Sequence, residues 1–294
     1  LARLIRGIMS RMHLDVPALR EQSRARAADR PRGPELPVVD DVIVPDTPGV
    51  RARHYRPDAA ARRPLLVYLH GGFWVLGNLE THDRLCRRIA AEAGIEVLAV
   101  AYRLAPEHPW PAAVDDALAA VRWASAWLAG GAPVAIGGDS AGGCVAALAA
   151  LALRDEGAGL LHAQVLLCPD TDLTGAQPSM EAKGSGFGLE ADAVRAAAAL
   201  WVPAHARRAS GAVSPLHAGS LAGLPPTLLI TAEDDPLGDE GRAYARRLEE
   251  AGVAVTARCE PGLRHGFFQD QDAGPAAEAA TARLLGDVRA LLRG

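Results

Sequence analysis

An α/β fold, with a mostly parallel central sheet and helices on both faces, is what this 294-residue sequence predicts. Two patterns carry the prediction. From residue 65 onward, short apolar runs rich in β-branched residues alternate with helix-length stretches, the order that a parallel sheet with crossover helices requires. A tight small-residue turn, Gly138-Asp139-Ser140-Ala141-Gly142, joins the run Val134-Ala135-Ile136 to an apolar, alanine-rich stretch from Cys144 to Leu153. Composition agrees: 49% hydrophobic and 22% charged residues suffice for one large core and exclude a mainly disordered chain. Residues 1–294 are read as a single domain.

Taken in order, Leu1, Leu4, Ile5, Ile8, Met9 and Met12 recur at helical spacing, with Arg3, Arg6 and Arg11 largely on the opposite face. A second helix is expected from Asp15 to about Ala28, with Pro17 in its first turn. After the linker Pro31 to Pro37, strands are expected at Val38 to Val44, Val50 to Tyr55 and Leu65 to Leu69. There follow a helix Thr81 to Ala93, a strand Glu96 to Val100, a helix Ala112 to Leu128 and the strand Val134 to Ile136. Beyond the helix behind Ser140 come strands Gln164 to Leu167 and Thr227 to Thr231, a helix Asp239 to Ala251, a strand Val253 to Cys259 and a helix Ala276 to Leu292. The stretch from Leu173 to Ser214 breaks the alternation, with a glycine-rich segment at 184–188 and a helical run from Ala191 to about Leu200. It reads as an insertion over the site, and residues 174–214 together with about 1–36 form the expected helical cap.

Several function classes are excluded. A net charge of −4 gives no general attraction to nucleic acid or anionic lipid. No apolar run reaches the ~18 residues of a membrane span, and the arginine-interrupted N-terminus lacks a signal-peptide core, so a soluble, cytoplasmic protein is expected. Cys86, Cys144, Cys168 and Cys259 form no CxxC pair. No HExxH, EF-hand, GxGxxG or P-loop pattern occurs, so neither a metal nor a cofactor is expected.

The turn around Ser140 has the GxSxG form of a nucleophile elbow, in which small flanking residues let the chain bend sharply and lift the hydroxyl clear. A serine hydroxyl needs a base, usually histidine, whose ordinary pKa lies near neutrality. Among nine histidines, His265 lies in Pro261-Gly262-Leu263-Arg264-His265-Gly266-Phe267, a loop after the last strand, where the histidine of a Ser-Asp-His chain order falls. The base needs a carboxylate to hold its tautomer. Asp234 and Asp235 both follow the strand Thr227 to Thr231, with Asp239 as a further competitor, and spacing does not separate Asp234 from Asp235. His70-Gly71-Gly72-Phe73-Trp74 follows the strand Leu65 to Leu69; its Gly71 and Gly72 N–H groups, with that of Ala141, are candidate oxyanion donors.

Together these segments resemble the bacterial hormone-sensitive lipase family of carboxylesterases, within the α/β hydrolases. The resemblance rests on HGGFWVLG at 70–77, YRLAPEHPWPA at 102–112, GDSAGG at 138–143, DPL at 235–237 and HGF at 265–267, and spans almost the whole chain. It implies Ser140, Asp235 and His265 as the triad, with oxyanion donors on Gly72, Phe73 and Ala141. Phe73 departs from the family's usual third glycine: its N–H survives, but a position demanding positive φ would distort the hole. Cys144 replaces a common asparagine. The implied activity is hydrolysis of small acyl esters of short to medium chain, in an apolar site lined by Phe73, Trp74, Leu76, Phe187 and Trp201. An amidase or deacetylase would use the same triad, and a binding protein on the same scaffold is the rival from another class. A homodimer is compatible with the sequence, which does not set the oligomeric state. Trp110, Trp123 and Trp127 are read as core or loop anchors, and Glu107 and His108 as fixing their loop.

Overall fold

The computed structural model describes residues 15–127, 132–269 and 274–293. The amphipathic pattern at 1–12 lies outside them. Eight strands form one sheet: β1 (Val38–Ile43), β2 (Arg51–Arg56), β3 (Leu65–Leu69), β4 (Glu96–Val100), β5 (Val134–Asp139), β6 (Ala163–Leu167), β7 (Thr227–Asp234) and β8 (Val255–Arg264). Their order is β1-β2-β4-β3-β5-β6-β7-β8. The β1–β2 and β2–β4 pairs are antiparallel and every other pair is parallel. The expected fold class is the observed one.

Strands β3 to β6 are buried along their full length, because helices cover both faces. The crossover and flanking helices are α1 (Val16–Ala28), α2 (Leu79–Arg88), α3 (Ala112–Trp127), α4 (Ala141–Asp155), α5 (Pro178–Ala182), α6 (Ala191–Trp201), α7 (Gly238–Glu250) and α8 (Gly274–Arg293). Local chemistry sets several starts. Asp15 caps α1 by accepting from Ala18 N–H at 3.0 Å, and Asn78 and Thr81 cap α2 reciprocally. The expected helix 81–93 divides into α2 and a π-turn, Ile89–Ala93, closed by Gly94 in the left-handed region.

Two clusters of buried apolar side chains fill the layers. One includes Leu69, Ile136, Cys144, Val145 and Trp201; the other holds Leu66, Leu167, Ile230, Leu284 and Phe267. A smaller cluster of Met180, Leu189, Ala191 and Val194, from the insertion between β6 and β7, packs with Leu237. Phe73 lies against both this cluster and the first of the large ones. β5 runs three residues past its expected end, through Asp139, and β7 and β8 run on to Asp234 and Arg264. These extensions bring Ser140, Asp235 and His265 to the first positions beyond the parallel strands β5, β7 and β8, on one sheet edge with β6 between the first two.

Candidate active site

Ser140 stands between β5 and α4 at φ 54°, ψ −123°. This is a strained conformation for a residue with a Cβ, and its surroundings hold it: Ser140 N–H donates to Leu167 at 2.9 Å, and its carbonyl accepts from Cys144 and Asp170. The turn demands small neighbours. A Cβ on Gly142 would run into the carbonyl oxygens of Leu69 and His70, because α4 passes directly over the end of β3. Ala141 opens α4, so its N–H is one of the helix's free donors and lies at the positive end of the dipole.

Beyond β7, Asp235 is fully buried, and its Oδ1 accepts from Leu237 N–H at 2.9 Å. Its Oδ2 meets His265 Nδ1 at 2.8 Å. Asp234 instead pairs in register with Arg264 and lies 3.7 Å from Lys183 Nζ, while Asp239 accepts from Ser179 N–H. The two competitors left open by spacing are therefore committed elsewhere. Burial works to lower the pKa of His265, but the charge and hydrogen bond of Asp235, reinforced by Asp139 and Asp170, raise it above the ordinary 6.5.

The loop after β3 is held from several sides. Gly71 N–H donates to Asp139 Oδ1 at 3.0 Å, which corrects its candidacy as an oxyanion donor: that N–H is already committed. Gly72 takes φ 127°, a conformation reserved for glycine, and its carbonyl accepts from Val75 and Leu76. Among the described residues the N–H groups of Gly72 and Phe73 carry no hydrogen bond. The Phe73 position does demand positive φ, and Phe73 adopts it at 60°, inside the left-handed well that costs a residue with a Cβ about 1–2 kcal/mol. Its N–H is kept.

Asp139 is a hub that sequence reading did not single out, although it lies inside the serine motif. Its carboxylate accepts from Tyr68 OH at 2.6 Å, Gly71 N–H and Gln269 Nε2 at 2.8 Å, and lies 3.3 Å from His82 Nε2. Burial alone would raise its pKa, but His82 and these hydrogen bonds hold it below the usual carboxylate value. The Ser140 turn and the loop after β3 are thus fastened to one buried charge. His70 braces the same loop: its Nδ1 contacts Gly71 O at 2.9 Å, its ring stacks on Tyr102 at 4.4 Å, and burial pushes its pKa down to about 4.

The segment 102–112 joins three parts. Ala105 N–H donates to Trp74 O at 2.9 Å, Glu107 receives a two-pronged bond from Arg20 of α1, and Trp110 N–H donates to Trp201 O. Trp110 also lies under the Arg207 guanidinium. Of the expected substrate contacts, Trp74 and Trp201 stack on each other at 4.5 Å and are 1% and 0% exposed. With Leu76 they belong to the core and brace the site from behind; only Phe73 and Phe187 are partly exposed.

Residues 66–269 match the family described as alpha/beta hydrolase fold, and the chain belongs to it. It is 43% identical to the carboxylic ester hydrolase LipN of Mycobacterium tuberculosis, over 95% of this chain and 77% of that protein. It is 39% identical to an ethyl acetate hydrolase of Pseudomonas putida, over 85% and 81% respectively. A hyperthermophilic esterase from the archaeon Pyrobaculum calidifontis superimposes with a TM-score of 0.88 at 36% identity, covering 99% of this chain and 98% of that one. Within the family the protein is a carboxylic ester hydrolase of the hormone-sensitive lipase type. Among the described residues no helix is long and apolar enough to cross a membrane.

Proposed function

We propose that the protein hydrolyses short- to medium-chain acyl esters through an acyl-enzyme on Ser140. The observation that carries this reading is the 2.8 Å His265–Asp235 pair on the same sheet edge as a serine held at φ 54°. Ser140 Oγ attacks the ester carbonyl while its proton passes to His265 Nε2, and Asp235 holds the other ring nitrogen and stabilises the imidazolium. The oxyanion receives the N–H groups of Gly72, Phe73 and Ala141. The C–O bond to the alcohol then breaks with the proton returned from Nε2, and water repeats the sequence to free the acid. α1 and the insertion 174–214 act as the cap, with Phe73 and Phe187 as apolar walls suited to small acyl groups. The Pseudomonas relative's action on ethyl acetate supports the short end of the range.

The test is hydrolysis of p-nitrophenyl esters from acetyl to dodecanoyl by the parent protein and Ser140→Ala. The expected optimum lies among the shorter chains, with kcat in the variant reduced by about 10⁴–10⁶. A variant within tenfold of the parent, or a tenfold preference for dodecanoyl, would overturn the proposal.

A further inference from the structure

Cys168 is the first residue after β6, between the strand ends that carry Ser140 and Asp235. It is 1% exposed and takes φ 44°, an uncommon conformation for a residue with a Cβ. Its N–H donates to Ile230 O at 2.7 Å, which fixes it to β7. Its sulfur, an Asp235 carboxylate oxygen and a His265 ring nitrogen all lie within 4.8 Å of one another. The groups that act on the thiol at this spot include the Asp235 carboxylate and the Gly266 N–H. Such a trio also suits a thiophilic cation, but His265 Nδ1 and Asp235 Oδ2 already share a proton across 2.8 Å, and a cation would have to displace it. Burial keeps the thiol protonated at neutral pH, so it is a donor and adds no charge.

We propose that Cys168 is a positioning residue: its S–H donates to Asp235 and its sulfur receives the Gly266 N–H, tying the loop that holds the acid to the loop that holds the base. This rests on the triad reading above. Asp235 then has three donors, Leu237 N–H, His265 and the thiol, and the thiol draws off part of the negative charge that Asp235 presents to His265. The other titratable groups acting on His265 are Asp139, held as a carboxylate, and Asp170, which burial and the neighbouring Asp172 push up to about 7; Glu240, behind Asp170, is raised by burial as well. All of these side chains are present in the parent and in both variants. Removing the S–H leaves a fuller charge on Asp235, stabilises the imidazolium and moves the acid limb of kcat/KM to higher pH. A serine hydroxyl, the stronger donor, moves it the other way.

The experiment compares the parent, Cys168→Ala and Cys168→Ser with p-nitrophenyl butyrate across pH. The acid-limb midpoint is expected about 0.3–0.5 unit higher in the alanine variant, the scale of one weak hydrogen bond to a carboxylate, and at or below the parent value in the serine variant. KM should stay within twofold, because the thiol touches no substrate, and serine should restore the kcat that alanine loses. Equal midpoints in all three proteins, or alanine and serine shifting the same way, would refute the role. Should Cys168→Ala fail to fold, the serine variant decides: a midpoint above the parent's refutes the proposal, and a lowered one supports it. Failure of the triad reading would look different, as full activity in Ser140→Ala or no acid limb in any of the proteins.

Discussion

Replacing Asp235 by asparagine changes few heavy atoms, yet the structure dictates which way the new amide must point. Leu237 N–H donates to Oδ1 at 2.9 Å, so the amide oxygen has to occupy that position. The NH₂ group is then directed at His265 Nδ1, where Oδ2 now lies 2.8 Å away. Two donors cannot share that contact, so His265 shifts its proton to Nε2 and loses the lone pair that should receive the Ser140 proton. The wrong tautomer in an otherwise intact triad costs about 10⁴ in kcat, or about 5.4 kcal/mol at about 1.36 kcal/mol per tenfold. The assay is steady-state hydrolysis of p-nitrophenyl butyrate at about pH 8, with circular dichroism and thermal unfolding on the same samples. A folded Asp235→Asn protein retaining more than a tenth of the parent kcat would refute the reasoning. Asp234→Asn serves as the control and should stay within a fewfold of the parent, since that carboxylate is engaged with Lys183.

Two further outcomes follow from the buried charges. Asp139→Asn keeps an oxygen for Tyr68 and Gly71 but opposes two NH₂ groups at Gln269, so it should destabilise the fold by about 2–4 kcal/mol and lower kcat with it; an unchanged denaturant midpoint would contradict this. Because His265 is active only when neutral and its pKa is raised, kcat/KM should climb with pH through a midpoint above 6.5. The stability sign is the opposite: the charged pair with Asp235 contributes fully below 6.5 and fades as pH rises through the folded-state value. A pH–rate profile with its midpoint at or below 6.5 would count against the geometry.

The alternation of strand and helix was readable because buried parallel strands are apolar on both faces, and β3 and β4 ended where their apolar runs ended. β5, β7 and β8 ran past their apolar runs because ladder pairing, not side-chain pattern, decides those ends: Gly138 pairs with Leu69, Asp139 with Leu167, and Asp234 with Arg264. Ser140, Asp235 and His265 stood in local motifs, and the strands bring them to one sheet edge, while spacing alone left Asp234 open beside Asp235. Asp139's role could not be read in advance, since its partners come from three separate stretches: Tyr68 and Gly71 at the end of β3, His82, and Gln269. Cys168 was hidden for the same reason: in sequence it is an unremarkable thiol at the end of an apolar run, and only the sheet order places it beside Asp235. Trp74 and Trp201 looked like substrate contacts because aromatic residues near a site suggest one, but their mutual stacking buries both.

The central claim, a covalent intermediate on Ser140, is tested most directly by reacting the protein with diethyl p-nitrophenyl phosphate and locating the adduct by mass spectrometry. One diethylphosphoryl group per chain, on Ser140 and formed in step with loss of esterase activity, is the expected result. Complete inactivation with the label on another residue, or full activity after Ser140 is fully labelled, would contradict the account.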